Sequence, residues 1–166
     1  TRFYPKSINK ECTTNIINRL LKHSDGNVYA FCNRSVFKCS MNQTVETVFP
    51  DIAIPSPTYS VAQAPDKDIY IGTESNGLYI YSENWKLKKH VPIDGIIATI
   101  LPDNNGDIWL GLDETGICLF NKNKQTFTWL HKDNTNLNNN SIRTFVSYGD
   151  SSILVGTFRG LNILNK

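Results

Sequence analysis

The feature that most constrains this chain is a short unit of turn, strand, turn and strand that recurs along it. In the clearest copy, Asn105-Gly106 precedes the apolar run Ile108–Leu110, and Gly116 supplies the next reversal. Asn-Gly favours a tight turn because both central positions of a type I′ turn need positive φ. A short apolar run between two turn signals is typical of a β-strand. The unit therefore predicts a β-hairpin.

Four copies of this unit fill the chain at nearly regular intervals. The apolar runs of successive copies begin at Val28, Ile69, Ile108 and Ile153, which are 41, 39 and 45 residues apart. Repeats of about 40 to 50 residues with several short strands each are typical of β-propeller blades. We therefore predict an all-β fold of about four four-stranded antiparallel blades. One propeller segment would span residues 1–166, with repeats at approximately 1–40, 41–81, 82–121 and 122–166.

Each repeat is predicted to contain an inner strand, a second strand, a third strand and an outer strand. Inner strands are expected at Asn15–Leu21, Tyr59–Gln63 and Ile96–Ile100. A helix over the first of these segments is rejected, because the two equivalent segments contain β-branched residues and are bounded by Pro. The second strands are apolar on both faces, as expected for strands that lie between two sheets.

Outer strands are expected at Phe3–Pro5, Trp85–Lys89 and Thr126–Trp129. The lysines of the second segment favour a solvated sheet edge, which discourages aggregation, over a phosphate-binding patch. Two arrangements of the blades stay open. The first outer strand could complete the last blade and close a ring of four. Alternatively, the blades are part of a larger ring, with open edges that two copies of the chain could satisfy together.

Composition agrees with a globular all-β protein, since 40% of the residues are hydrophobic and 19% are charged. The net charge of +2 indicates no particular partner, and nucleic acid is not expected. No apolar run has the length of a membrane helix, and no signal peptide is recognisable. Tryptophans at 85, 109 and 129 are expected in the core between blades rather than as sugar platforms. The cysteines have neither disulfide-framework nor zinc-site spacing, so buried or half-buried thiols are expected at Cys12, Cys32, Cys39 and Cys118.

The pattern Asp/Asn-Gly-x-Ile-Trp-Leu-Gly, followed by Gly-Ile, resembles the two-component regulator propeller repeat. The fullest match covers residues 96–120, and residues 59–81 and 142–164 match next best. The resemblance implies the periplasmic sensor region of a hybrid two-component histidine kinase in the inner membrane. It also implies a larger propeller of which these blades are a fragment, detection of oligosaccharides, and contact with the membrane only through parts outside this chain.

No sequence signature of catalysis is present. Nucleophile elbows, metal-binding histidine pairs and phosphate-binding loops are absent from the sequence. The acids that recur at the first turn of a repeat are explained by hydrogen bonds to their own backbone, at Asp25, Asp66 and Asp150. The histidines are far apart in sequence and are expected at the surface, at His23, His90 and His131. We therefore expect no enzyme activity, no cofactor and no metal.

A ligand is expected on the propeller face built from two sets of loops. These are the turns between second and third strands and the linkers from outer to inner strands. Planar, amide and charged side chains there suit sugar hydroxyls and carboxylates. The competing interpretation is that such loops are polar because they are solvated. The predicted ligand-binding residues are Arg34, Glu74, Asn76, His90, Asp113, Glu114, His131, Lys132, Phe158 and Arg159.

Three functional hypotheses follow from the sequence. The favoured one is a non-catalytic sensor segment with an oligosaccharide ligand. The second is a protein-interaction or self-association scaffold, whose partner is a set of remaining blades or a second copy of the chain. The third is a carbohydrate-active propeller enzyme, which would need acids converging on one sugar.

Overall fold

The computed structural model describes residues 2, 4, 15–33, 35–42, 44–48, 54 and 56–166. No helix long and apolar enough to cross a membrane occurs among these residues. Their regular structure consists of fifteen β-strands. In chain order the strands are β1 (Arg19–Lys22), β2 (Val28–Cys32), β3 (Ser35–Cys39), β4 (Val45–Val48), β5 (Thr58–Gln63), β6 (Ile69–Thr73), β7 (Leu78–Tyr81), β8 (Leu87–Val91), β9 (Ile97–Pro102), β10 (Asp107–Leu112), β11 (Gly116–Asn121), β12 (Thr126–Leu130), β13 (Ile142–Tyr148), β14 (Ser152–Thr157) and β15 (Gly160–Asn165).

The strands form four antiparallel sheets, here numbered as blades one to four in chain order. Blades one to three have four strands each, in the order β1-β2-β3-β4, β5-β6-β7-β8 and β9-β10-β11-β12. Blade four contains β13-β14-β15 among the described residues. The prediction of an all-β fold of propeller blades is confirmed.

The repeat seen in the sequence is also a repeat of strand register. The first residue of each apolar run pairs with the inner-strand residue six positions earlier, and these pairs are Val28 with Lys22, Ile69 with Gln63, Ile108 with Pro102 and Ile153 with Ser147. The inner strands lie side by side in chain order, with β5 against β1 and β9, and β13 against β9. Because β6 lies between two neighbouring blades, all five of its residues are buried.

Glycine in the second strand makes room for the inner strand of the next blade. A Cβ atom on Gly72 would lie 2.6 Å from Ile97, and one on Gly111 would lie 2.5 Å from Ile142. Ile97 and Ile142 are the first residues of β9 and β13, and both are fully buried. The contact between blades two and three and the contact between blades three and four are therefore built on the same pair of a glycine and a branched aliphatic residue.

The contact between blades one and two is built differently. Phe31 occupies the register position of the second-strand glycines, and the smaller Thr58 occupies the position of the isoleucines. Trp85 adds an aromatic ring from the turn before β8, with its centroid 4.7 Å from Tyr29 and 5.8 Å from His23. The larger residue here stands on the second strand and the smaller one on the inner strand, which reverses the arrangement at the two later contacts.

An ion-pair network joins blades two and three. Lys122, just after β11, pairs with Asp66 and places its Nζ 2.7 Å from the buried carboxylate of Asp68. Lys88 also contacts Asp68, at 2.7 Å. Partial burial raises the pKa of Asp66, but the ion pair with Lys122 outweighs it and holds that pKa below its ordinary value. For Lys122 the signs are opposite. Burial by itself lowers the pKa of the lysine because it disfavours the charged form, but the bonds to Asp66 and Asp68 outweigh burial, and the pKa is raised.

Several strand boundaries differ from those predicted. The first inner strand is Arg19–Lys22, so the prediction of a strand from Asn15 was wrong at its start. The second outer strand is Leu87–Val91, and Trp85 precedes it in a turn with φ of 60°. A tryptophan with positive φ departs from strand geometry, which explains the shift. The outer strand predicted at Phe3–Pro5 lies almost wholly outside the described residues.

Predictions for the remaining special residues had mixed outcomes. His23 was expected at the surface but is only 4% exposed, because its ring packs against Tyr29 and Trp85. The thiols of Cys32, Cys39 and Cys118 are free, and each is buried or half-buried as predicted. Backbone N–H groups donate to the carboxylates of the first-turn acids, from Asn27 to Asp25 and from Asp68 to Asp66. Cys12 lies outside the described residues.

Candidate functional site

The turns and linkers predicted to form a ligand face do meet at one end of the inner strands. In three blades a backbone N–H of the turn donates to a carbonyl just before or at the start of the inner strand. These bonds run from Glu74 to Pro57, from Asp113 to Ile96 and from Phe158 to Ser141, at 3.0, 3.0 and 2.9 Å. We call the surface formed by these turns and linkers the loop face.

A β-bulge recurs where the inner strands reach the loop face. In blades two to four, the pairing of the inner strand with the second strand skips one residue, which is Tyr59, Ala98 or Arg143. A bulge changes the direction of a side chain and is common beside functional sites. The three residues share a backbone position but differ in chemistry. The bulge is thus a repeated position at which each blade presents a different side chain at the loop face.

A groove on the loop face lies between blades one and two. It has a volume of about 360 Å³ and an open mouth. The bulge residue Tyr59 lies in it, with 38% of its surface exposed. The groove also combines two amides, an acid and a base. Its lining residues are Asn18, Arg19, Asn33, Pro57, Thr58, Tyr59 and Glu74.

Hydrogen bonds fix the backbone around this groove and leave several side chains exposed. The Asn18 side-chain amide donates to the Thr58 carbonyl at 3.2 Å, and the Thr58 N–H donates to the Asn33 carbonyl at 3.0 Å. Both bonds join blade one to blade two. Arg19 and Glu74 are exposed beside them. The groove therefore has a rigid floor and a rim of aromatic, basic and acidic groups.

A second cluster on the loop face joins blades three and four. The bulge residue Arg143 donates to the Asp113 carboxylate at 3.1 Å. Its guanidinium lies 5.5 Å from the centroid of the Phe158 ring, which is 69% exposed. A guanidinium over an aromatic face is an attractive arrangement. The structure therefore brings the predicted residues Asp113 and Phe158 together through an arginine that the sequence did not indicate.

The other predicted residues lie at separate places on the loop face. Glu114 and Lys132 line a shallow groove of about 200 Å³ with Ser141 and two asparagines. The histidines instead hold turns of their own blades, because His90 Nε2 lies 2.7 Å from the Asn76 carbonyl and His131 Nδ1 lies 2.8 Å from the Thr115 carbonyl. These contacts give both histidines a structural role. Arg159 is exposed in the β14–β15 turn.

The predicted set therefore contributes Glu74 to the groove between blades one and two, and most of its other members lie elsewhere on the loop face. Arg34 lies outside the described residues. Sequence reasoning missed Tyr59 and Arg143 because a one-residue bulge leaves no mark in the sequence pattern. The predicted inner strand Tyr59–Gln63 treats Tyr59 as an ordinary strand residue.

Clusters of histidine, cysteine and acidic residues that could hold a metal ion are absent from the described part of the chain. Acids of the loop face stand in its turns, at Glu74, Asp113 and Glu114, and in its linkers, at Asp94 and Asp133. Asp113 is bound to Arg143.

The fold is similar to several solved structures. The extracellular domain of the proposed hybrid two component system BT4673 from B. thetaiotaomicron matches with a TM-score of 0.77 and 19% identity, over 97% of this chain and 21% of that one. The corresponding domain of BT3049 from the same organism matches with a TM-score of 0.73 and 20% identity, over 98% of this chain and 22% of that one. The chain is made of β-propeller blades.

The resemblance inferred from the repeats is thus confirmed at the level of fold. The propeller chain spans about a fifth of the length of both extracellular domains. It also matches virginiamycin B lyase from Staphylococcus aureus, with a TM-score of 0.65 and 16% identity, over 95% of this chain and 57% of the lyase. The propeller fold by itself therefore occurs both in extracellular domains and in a lyase. No family model matches the sequence, and no match was found among curated proteins.

Proposed function

We propose that this chain is a non-catalytic sensor segment of a hybrid two-component signalling protein and binds a glycan-derived ligand on its loop face. The observation that carries the proposal is the groove between blades one and two, where an exposed aromatic ring stands among amide, basic and acidic groups. The fold shared with two extracellular domains of proposed hybrid two component systems supports the signalling context.

The chemistry of the groove suits a short oligosaccharide. A volume of about 360 Å³ lies within the usual range of small-molecule sites. The Tyr59 ring offers a flat apolar surface for the C–H face of a sugar, and its hydroxyl can also donate or accept. Asn33 provides both donors and acceptors, whereas Arg19 and Glu74 provide charged partners for hydroxyl or carboxylate groups.

In this proposal the chain works outside the cytoplasm, in the periplasm, as part of a protein that carries its histidine kinase and membrane segment elsewhere. The ligand would bridge two blades, since Asn18, Arg19 and Asn33 belong to blade one and Tyr59 and Glu74 to blade two. Binding would therefore restrict the movement of blade two relative to blade one. In this proposal that restriction is the signal, and the packed blades transmit it to the rest of the protein.

A thermal-shift screen of the chain against oligosaccharides from plant, host and microbial polysaccharides tests the proposal. A ligand that binds only the folded state raises the unfolding midpoint in a concentration-dependent way. Tyr59→Ala is expected to abolish the shift caused by a ligand of the wild-type chain. Tyr148→Ala is the matched control, because Tyr148 is an exposed tyrosine in a different blade. The absence of any shift across the panel would contradict the proposal, as would an equal shift in the Tyr59→Ala variant.

The non-catalytic assignment is tested separately. Product analysis of each ligand after long incubation with the chain is expected to show intact oligosaccharide. Turnover that disappears in Glu114→Gln would instead support the propeller-enzyme hypothesis.

A further inference from the structure

The turn between β9 and β10 contains Asn-Gly, a sequence in which a side chain and the backbone can react with each other. Asn-Gly occurs twice in the chain, at Asn105-Gly106 and at Asn76-Gly77. A glycine after asparagine has no side chain to shield its nitrogen, and its backbone is free to approach the asparagine amide. The two places therefore share the same intrinsic chemistry, and their surroundings decide which of them reacts.

The reaction at Asn105 is a deamidation that needs only water. The backbone nitrogen of Gly106 forms a bond to Cγ of Asn105 and gives up its proton, and Nδ2 takes a proton and leaves as ammonia. Water then opens the resulting imide ring at either of its two carbonyl groups. One product is aspartate. The other is isoaspartate, in which the main chain passes through the former side chain.

The surroundings of Asn105 leave its side chain free to react. Asn105 is exposed, and its backbone N–H donates to the Asp103 carboxylate at 2.5 Å. The described residues give its side-chain amide no hydrogen bond. The Gly106 N–H donates to the Asp103 carbonyl at 3.2 Å, whereas the corresponding turn bonds of blades one and two are 3.0 and 2.8 Å. A Cβ atom on Gly106 would meet only Asn123, at 3.4 Å, so the space beside the reacting nitrogen is open.

The surroundings of Asn76 hold the same pair of residues in place. Its side-chain amide donates to the Tyr79 hydroxyl at 2.5 Å, and its backbone carbonyl lies 2.7 Å from Nε2 of His90. The rings of Tyr79 and His90 are stacked, with their centroids 4.4 Å apart. Gly77 is buried, and a Cβ atom there would collide with the Val91 carbonyl oxygen. Ring closure at Asn76 therefore requires these contacts to break.

Blade three is the blade with an amide at this position of the repeat. Three residues before the start of the apolar run, the other blades carry acids, at Asp25, Asp66 and Asp150. Two positions earlier, blade three has the buried Asp103. The other blades have uncharged or basic residue types there, at His23, Ala64 and Tyr148. A carboxylate in place of the Asn105 amide would therefore lie beside a buried carboxylate, a combination that the other three blades avoid.

Asp103 also belongs to the contact between blades three and four. Its carboxylate lies 3.4 Å from Nζ of Lys166, the residue after β15. Asn105 and Asp150 line the same groove of about 250 Å³ at this contact, and Asp107 lies two residues beyond Asn105. We propose that Asn105 is a site of spontaneous deamidation and that the carboxylate formed there weakens the contact between blades three and four. The weakening follows because the acids near this turn outnumber the base, and like charges repel.

Peptide mapping by mass spectrometry, after the folded chain has been kept in warm, mildly alkaline buffer, tests the deamidation. Asn105 is expected to convert to aspartate and isoaspartate. Asn76 is expected to convert at least roughly tenfold more slowly, because one hydrogen bond contributes about the free energy of a factor of ten in rate. Equal conversion at the two places would overturn the proposal. So would an Asn105 that stays intact while a free peptide of residues 101–110 converts.

Tyr79→Phe separates the effect of the surroundings from that of the sequence. It removes the hydroxyl that holds the Asn76 amide but keeps a ring beside His90. Conversion at Asn76 is expected to rise roughly tenfold, whereas conversion at Asn105 is expected to stay the same. Tyr81→Phe, at a buried tyrosine two residues further along β7, is the matched control and is expected to change neither rate. An unchanged rate at Asn76 in Tyr79→Phe would overturn the explanation.

Asn105→Asp tests the effect on the contact between blades. At neutral pH its unfolding midpoint is expected to be lower than that of the wild type by about 2–4 °C, because the new carboxylate repels Asp103. The difference is expected to disappear below about pH 4, where carboxyl groups bind protons and the repulsion ends. An unchanged midpoint at neutral pH, or a difference that persists in acid, would overturn the weakening. None of these measurements involves an oligosaccharide, so their outcome is independent of the proposed sensor function.

Discussion

The contact between blades one and two differs from the contact between blades three and four, although the strand register is the same. In the later contact, Gly111 admits Ile142 of the next blade. In the earlier one, the equivalent positions hold Phe31 and Thr58, and Trp85 fills the remaining space. The comparison shows that the contacts between blades repeat in strand register but not in residue type, because the larger residue stands on the second strand in one contact and on the inner strand in the other.

The difference also concerns the loop face. At the contact between blades one and two, the loop face carries a groove lined by residues of both blades. At the contact between blades three and four, Arg143 occupies the bulge position and is already engaged by Asp113 and Phe158. At the same position on the loop face, the contact between blades one and two therefore has an open groove. The contact between blades three and four has a cluster of side chains that already bind one another.

The largest expected effect is that of Trp85→Ala. Trp85 is 7% exposed and contacts three aromatic rings of blade one, so its removal leaves a cavity in the contact between blades one and two. Loss of such a side chain costs about 3–5 kcal/mol. Urea unfolding measures the change, with Trp129→Ala as the control because Trp129 is only half-buried on an outer strand. Equal losses in the two variants would contradict the special role of Trp85.

Alanine at the second-strand glycines is expected to have the next largest effect. At Gly111 a Cβ atom would lie 2.5 Å from Ile142, 2.6 Å from Thr99 and 3.0 Å from Phe145. At Gly156 it would meet only Thr144 closely, at 2.7 Å. We expect Gly111→Ala to lower the free energy of unfolding by about 1–3 kcal/mol more than a Gly→Ala change at a site without steric overlap. Gly156→Ala is expected to lower it clearly less. A reversed order in urea unfolding would contradict the inter-blade explanation of the glycine repeat.

Removal of the cation between blades two and three is expected to cost less than either packing change. Lys122→Met keeps the length of the side chain but removes its bonds to Asp66 and Asp68. Because the side chains of Lys122 and Asp66 are partly exposed, solvent screens their attraction, and we expect a loss of about 1 kcal/mol in unfolding free energy. Lys124→Met is the control, because Lys124 is an exposed lysine two residues away. The same loss in both variants would contradict a specific inter-blade role.

The smallest expected effect is the pH dependence of this ion pair. The pKa of Asp66 is lower in the folded chain than its ordinary value, because Lys122 stabilises the carboxylate against the effect of partial burial. The resulting stabilisation is complete above the unfolded-state pKa of about 4 and is lost as the pH falls through the lower folded-state pKa. The difference in unfolding free energy between wild type and Lys122→Met is therefore expected to shrink below about pH 4. A difference that stays constant down to pH 2 would contradict this assignment.

Much of the fold could be predicted because the turn chemistry, the apolar second strands and the repeat length all indicated the same architecture. The alignment of Val28, Ile69, Ile108 and Ile153 corresponds to one position in all four sheets. The sequence did not reveal why glycine recurs in the second strand, since the isoleucine it accommodates belongs to the next blade. Contacts between repeats are not visible within one repeat.

The candidate site was harder to predict for two physical reasons. A bulge shifts pairing by one residue without a distinctive residue type, so Tyr59 and Arg143 gave no signal. Polar loop residues also look alike in sequence whether they face a ligand or hold a turn, as His90 does through the Asn76 carbonyl. The sequence therefore predicted which turns and linkers lie together on the loop face, but not the groove between blades one and two.

Amide chemical-shift mapping tests whether a ligand binds in the groove between blades one and two. An oligosaccharide identified by thermal shift would be titrated into the isotope-labelled chain. Binding in the groove is expected to produce the largest shifts at Asn18, Asn33, Tyr59 and Glu74. Shifts concentrated on the opposite face, around Asn104, Gly149 and Asp150, would contradict it.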